Sequence, residues 1–181
     1  MEPYWELLGK SLTHHLKKVH LDHPTTSKND LIVSYGVFNT ELSIFKVKPN
    51  FSSLNDQFKK VKPDGLTALY DAIGLSIVYL QKNASKQIED IPITVIFIIL
   101  TDGNDNASKR CQAAQIGNHI KRLQKEKWDF IFMGVDLDCR EINTNLNIPN
   151  FKYYNFNKAE FKLTFDRLTE IVIKNIKLGI N

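Results

Sequence analysis

From Ile93 to Leu100 the chain reads Ile-Thr-Val-Ile-Phe-Ile-Ile-Leu, then stops at Thr101-Asp102-Gly103. Thr94 is the only polar residue in that run. A strand with one wet face alternates apolar and polar residues, whereas one apolar on both faces belongs in the middle of a parallel sheet with helices above and below. Parallel neighbours need a long crossover, usually a helix. The run therefore demands strands alternating with helices, and it places its polar end, Thr101-Asp102-Gly103, where such sheets carry their ligands.

The rest of the chain supplies those helices and strands. Leu8, Leu12, Leu16 and Val19 recur at helical spacing, with Lys10, Lys17 and Lys18 on other faces. Pro24 to Asp30 is turn-rich. Leu31–Phe38 reads as a strand, Asn39-Thr40 as a turn, and Leu42–Val47 as the returning arm of an antiparallel hairpin. A short helix is expected over Ser53–Val61. A longer one is expected from about Thr67 to Gln81, burying Leu69, Ile73, Ile77 and Leu80. Ala107–Glu126 reads as a helix, Phe130–Val135 as a second buried strand, and Cys139–Leu146 as a short helix or turn. Phe151–Phe156 reads as a last strand, and a terminal helix is marked by Phe161, Phe165, Leu168, Val172 and Ile176. This alternation predicts an open α/β sheet with right-handed crossovers.

A length of 181 residues suits one domain, 1–181. No segment reaches the roughly 18–20 apolar residues of a membrane helix. No charged and apolar leader opens the chain. Cys111 and Cys139 lie far apart and form no Cys-x-x-Cys pair, which suits reduced thiols in the cytoplasm. The net charge of +4 is spread among mixed charges, so neither nucleic acid nor membrane is the expected partner.

Two loops carry the candidate chemistry. Gly65-Leu66-Thr67-Ala68-Leu69-Tyr70-Asp71-Ala72-Ile73 places a hydroxyl at the mouth of a helix, and Ile98-Ile-Leu-Thr-Asp102-Gly103 places a carboxylate at a strand end. Each has a plainer reading: Thr67 as a helix cap, Asp102 as a turn residue. Asp71 is expected to hydrogen-bond near its helix start, and Asp105 and Asn106 to cap the helix that follows them. Asp136 and Asp138 end another strand. His14 and His15 point about 100° apart on a helix and do not converge on a metal. His20 and His23 flank the end of that helix and suit its dipole. There is no phosphate loop and no nucleophile elbow.

The paired motifs resemble those of von Willebrand factor A domains, and the likeness extends to Val33–Thr40 and Trp128–Val135. Among such domains the chain looks most like small bacterial and phage-type members. The resemblance implies a Rossmann-like, doubly wound and mostly parallel sheet of order 3-2-1-4-5-6 with one antiparallel edge strand. It implies a metal-ion-dependent adhesion site, in which Thr67 and Asp102 are the metal residues. That site binds Mg²⁺ and docks a carboxylate of a partner protein without catalysis. Leu66 stands where the family has a second glycine. The family's first loop, Asp-x-Ser-x-Ser after the first central strand, has no counterpart, since Met1 falls where that motif ends. Mg²⁺ is therefore expected only if the missing loop is supplied. The alternatives are a start placed about 10–20 residues too late, closure of the gap by direct pairing or by a strand from another molecule, or a metal-free member. The exposed strand edges also predict a homo-oligomer. Two other functions compete: a metal-dependent hydrolase or phosphotransfer enzyme using Asp102, and a metal-free structural subunit of a phage or secretion assembly.

Overall fold

Five helices and five strands follow the expected alternation in a computed structural model that describes residues 5–22, 32–46, 64–84 and 94–179. In chain order they are α1 (Trp5–Asp22), β1 (Ser34–Phe38), β2 (Leu42–Lys46), α2 (Leu69–Ala84), β3 (Val95–Thr101), α3 (Ala113–Gln124), β4 (Trp128–Val135), α4 (Cys139–Leu146), β5 (Lys152–Phe156) and α5 (Phe161–Gly179). A single 3₁₀ turn, Lys158–Glu160, leads into α5. The helix expected over Ser53–Val61 and the turn over Pro24–Asp30 lie outside the described residues. No helix among the described residues is long and apolar enough to cross a membrane.

The described residues gather in two compact units. One holds α1 and α5; the other holds Gly36–Ile44 and Gly65–Asn155. In the first unit α1 buries Leu8, Leu16 and Val19, the stripe its spacing dictates, and α5 buries Phe161, Phe165, Leu168 and Val172. The His15 ring meets the Phe165 ring edge-on, 6.3 Å between centroids.

The second unit contains the parallel sheet, in the order β3-β4-β5. β3 and β4 run in unbroken register from Val95 opposite Trp128 to Thr101 opposite Gly134. β4 is flanked on both sides, and every one of its residues except Asp129 is buried. On one face of the sheet Phe130, Phe132 and Ile99 pack with Leu69, Ile73 and Ile77 of α2. Ile116, Ile120 and Leu123 of α3 join them, with Ile142 and Leu146 of α4. Each such side chain contributes about 1.5–3 kcal/mol when fully buried. α3 and α4 approach so closely that a β-carbon on Gly117 would lie 1.8 Å from the Leu146 carbonyl oxygen.

β1 and β2 form a separate two-stranded antiparallel pair. Their connection is Asn39–Glu41 rather than two residues, closed by the Glu41 N–H donating to Asn39 Oδ1 (2.9 Å). Among the described residues β1 pairs only with β2, and β3 only with β4. The observed architecture is thus α/β with a parallel three-stranded sheet and an antiparallel pair.

Two helix starts differ from expectation. α2 begins at Leu69 rather than Thr67, and α3 at Ala113 rather than Ala107. The residues before each start carry the site.

Candidate functional site

The loop ahead of α2 turns at Gly65, whose φ of +83° is a left-handed conformation that glycine adopts without strain. Leu66 is exposed, and Thr67 follows, half-buried. The loop after β3 begins at Thr101, whose hydroxyl donates to the Gly103 carbonyl (2.8 Å) and so folds the chain back at Asp102.

Polar groups sew these two loops together. The Thr67 N–H donates to Asn106 Oδ1 (2.7 Å), while the Thr67 carbonyl accepts from the N–H groups of Asn106 (2.9 Å) and Ala107 (3.2 Å). The Tyr70 N–H donates to Asp105 Oδ1 (3.2 Å), and the Asp71 N–H to Ser108 Oγ (2.9 Å). The Ser108 hydroxyl in turn donates to Asp105 Oδ1. The first N–H groups of a helix have no partners within it. Here those of Tyr70 and Asp71 in α2 are satisfied by residues 35 and 37 positions away. Asp105 and Asn106 were expected to cap the following helix; they serve the preceding one, and Gln112 is the N-cap of α3. Thr67 does not cap α2.

Asp71 returns the favour. Its Oδ1 accepts from the N–H groups of Arg110 (2.9 Å) and Cys111 (2.7 Å), and its Oδ2 from that of Lys109 (2.9 Å). Burial pushes this carboxyl up, but the three backbone donors outweigh it and hold the group below its ordinary value. Both lone pairs of Oδ1 and one of Oδ2 are engaged, so Asp71 is a clasp for the 109–111 backbone. A third connection reaches the hairpin, where the Ala68 N–H donates to the Asn39 carbonyl (2.7 Å).

The result brings the two sequence-predicted site segments together. A β-carbon on Gly103 would lie 3.5 Å from the Thr67 hydroxyl oxygen, so the two loops meet beside the Asp102 turn. Asp102 is exposed. Asn104 ties the far side of the loop to α4 through Glu141 Oε2 (3.0 Å). A hydroxyl and one carboxylate do not complete the octahedral oxygen shell of Mg²⁺. No group of three or more His, Cys, Asp or Glu able to hold a metal occurs among the described residues.

The other candidates have structural duties. Asp138 is the N-cap of α4, accepting from Arg140 N–H (3.0 Å) and Arg140 Nε (2.8 Å to Oδ2) and from Asn155 Nδ2 (3.1 Å). The Arg140 side chain first, then its backbone N–H, hold Asp138 far below the usual carboxylate range. Asp136 sits at φ +52°, in the turn that ends β4. His14 is exposed and His15 buried, with the His15 ring against Thr169. Both cysteines are free. Burial pushes the Cys139 thiol up to about 12 and raises Cys111 as well, so neither supplies a thiolate at neutral pH.

No protein-family model matches the chain, and a search of curated proteins returns no match.

Proposed function

We propose that this chain is a protein-interaction module of von Willebrand A type, docking its partner at the Thr67 and Asp102 loops, with an incomplete metal-ion-dependent adhesion site. One observation carries the reading: the loops before α2 and after β3 are clasped by reciprocal side-chain-to-backbone bonds, with the Thr67 hydroxyl against Gly103. A docking point gains from such rigidity, because little ordering remains to oppose binding. The oxygens offered there are one hydroxyl and one exposed carboxylate. They suit a cation shared with a partner's carboxylate once further oxygens are supplied. An enzyme using Asp102 would need a base or nucleophile beside it, and the two thiols are held protonated.

The test is calorimetric titration with Mn²⁺ of the chain and of a version extended before Met1 by an apolar strand and an Asp-x-Ser-x-Ser loop. The native chain is expected to show no saturable binding at micromolar concentration. The extended chain is expected to bind, and Thr67→Ala or Asp102→Ala is expected to abolish that binding with the circular dichroism spectrum unchanged. Binding by the extended chain that survives both substitutions would sink the proposal.

A further inference from the structure

The end of the sheet remote from Asp102 carries a different chemistry. β3 and β4 run from Val95 opposite Trp128 to Thr101 opposite Gly134, so the start of β4 lies about 20 Å along the strands from the Asp102 turn. The chain passes from α3 into β4 through Lys121-Arg-Leu-Gln-Lys-Glu-Lys127, four cations and one acid in seven residues. Arg122, Lys125 and Lys127 are exposed, and Lys121 is half-buried. Lys125 keeps helical geometry as the C-cap of α3. Lys121 and Arg122 therefore stand four and three residues before it, the spacings at which helical side chains are neighbours.

Three of these cations have a structural account. Lys121, Arg122 and Lys125 sit at the negative end of the α3 dipole and stabilise the helix there. Lys127 does not share that account. It lies beyond the C-cap at φ +62°, in the left-handed region. The other non-glycine residues with positive φ among the described ones are Asp136, Asn147 and Asn150, types whose short polar side chains tolerate that conformation. Glycine is the residue that such a position after a helix ordinarily takes. The conformation is imposed by the flanking backbone. The Glu126 N–H donates to the Leu123 carbonyl (2.8 Å), and the Lys127 carbonyl accepts from the Val95 N–H (3.3 Å), which sets the chain into β4. A lysine strained at a turn that glycine would stabilise points to a use for its charge.

We propose that Lys121, Arg122, Lys125 and Lys127 form a second docking surface, which binds a short acidic segment of a partner protein without a metal. Charge complementarity selects carboxylates. The helical part of the patch spans about 6 Å, and Lys127 carries it past the helix end. Its length matches about three to four residues of an extended chain at about 3.3 Å each. A nucleic acid fits less well. Glu126 interrupts the patch and would repel a continuous phosphate backbone. The adjoining aromatic, Trp128, is buried and stacked on Phe130 with centroids 5.9 Å apart, so it offers no face to a base. The two docking surfaces lie at opposite ends of the strands, so one chain can hold two partners at once, and either proposal stands if the other fails.

The probe is a fluorescein-labelled peptide of four consecutive glutamates flanked by glycines, offered to the whole chain in EDTA. Fluorescence anisotropy is expected to show saturable binding at about 0.02 M salt, weakened about tenfold or more at about 0.15 M, since exposed charges are screened. Replacing Lys121 and Lys125 together by glutamine is expected to weaken binding about tenfold or more. Lys127→Gly separates charge from fold. It is expected to weaken binding several-fold while raising the urea midpoint, because glycine relieves the left-handed strain. Lack of saturable binding at the lower salt would overturn the proposal. So would binding unchanged by Lys127→Gly, or a midpoint lowered by it, since the lysine would then serve the turn itself. Tighter binding of an oligothymidylate of equal charge would overturn it in favour of a nucleic acid. An equal loss on Asp102→Ala would overturn it in favour of the loops at the other end. Binding seen only after Glu89→Gln and Asp90→Asn would also overturn it, because the chain's own acids would then occupy the patch.

Discussion

Replacing Asp71 by alanine should unfasten the site without touching the apolar core. The carboxylate accepts three backbone N–H groups at 2.7–2.9 Å, from Lys109, Arg110 and Cys111. Hydrogen bonds to a charged acceptor contribute about 1.5–3 kcal/mol each. Lys109 and Arg110 are exposed, so water replaces part of what the alanine removes, whereas Cys111 is half-buried. The expected net loss is about 2–4 kcal/mol, a large part of a typical stability of about 5–15 kcal/mol. With a urea slope of about 1–3 kcal/mol per molar, the midpoint should fall by about 1–2 M. Asp71→Asn should lose less, because one oxygen remains while the new amide faces an N–H group. The sign of the pH dependence follows from the depressed folded value. A carboxyl held below its unfolded value stabilises the fold fully above that value, 3.8, and this contribution is lost as pH falls through the folded one. Urea melts of wild type and Asp71→Ala at pH 7 and at pH 3 measure both effects, and the difference between the proteins should shrink at the lower pH. Hydrogen exchange locates the change, with the amides of Lys109–Cys111 losing protection in the variant. A loss below about 0.5 kcal/mol at pH 7, with those amides still protected, would refute the clasp.

Two further perturbations probe the helices. The Thr169 hydroxyl donates to the Phe165 carbonyl (2.8 Å), so the buried His15 ring is the donor in its 2.5 Å contact with Thr169 Oγ and is neutral in the fold. Burial first, then His14 and Lys18, lower His15 from 6.5 to about 4. The unfolded chain takes up that proton first, so stability should fall by on the order of 2–3 kcal/mol between pH 6.5 and 4. His15→Gln should flatten that slope in thermal melts across the same range, and an unchanged slope would count against the buried neutral ring. Gly117→Ala should cost about 1–3 kcal/mol, because its methyl meets backbone at Leu146 and the α3–α4 pair must separate. A melting temperature unaltered by this substitution would contradict the close approach.

The sequence disclosed most where structure follows from local pattern. The apolar run supplies Val95–Leu100 of β3, which pairs in parallel with β4. The stripe Leu69, Ile73, Ile77 fixed the buried face of α2, and Leu8, Leu16, Val19 that of α1. What stayed hidden was long-range. Asp105, Asn106 and Ser108 look like the start of the next helix because such residues favour the caps nearest to them. In the fold they cap a helix that begins 36 to 39 residues earlier, which no local preference encodes. The helical stripe at Ala113, Ile116, Ile120 and Leu123 does not reach back into 107–112, which is not helical. That segment bends around Asp71 instead, whose carboxylate takes N–H groups of Lys109, Arg110 and Cys111.

That exchange of caps bears on how the site works. A helix capped by its own residues could shift or fray while the loop after β3 stayed put. Here the first turn of α2 is satisfied by the post-β3 loop, and that loop's backbone is satisfied by Asp71 of α2. Neither can move without exposing unpaired polar groups in the other, at about 1–3 kcal/mol for each one left buried. Thr67 and the Asp102 turn therefore behave as one rigid body, fixed to the end of β3 by the fold of Thr101 and to the β1–β2 turn through Ala68. The position of the Thr67 hydroxyl beside Gly103 is thus set by hydrogen bonds between the two loops' own side chains and backbone. If the proposed docking is right, binding at this end adds oxygens to the Thr67 and Asp102 pair, and its affinity should depend on what the incoming segment carries and hardly at all on reordering these loops.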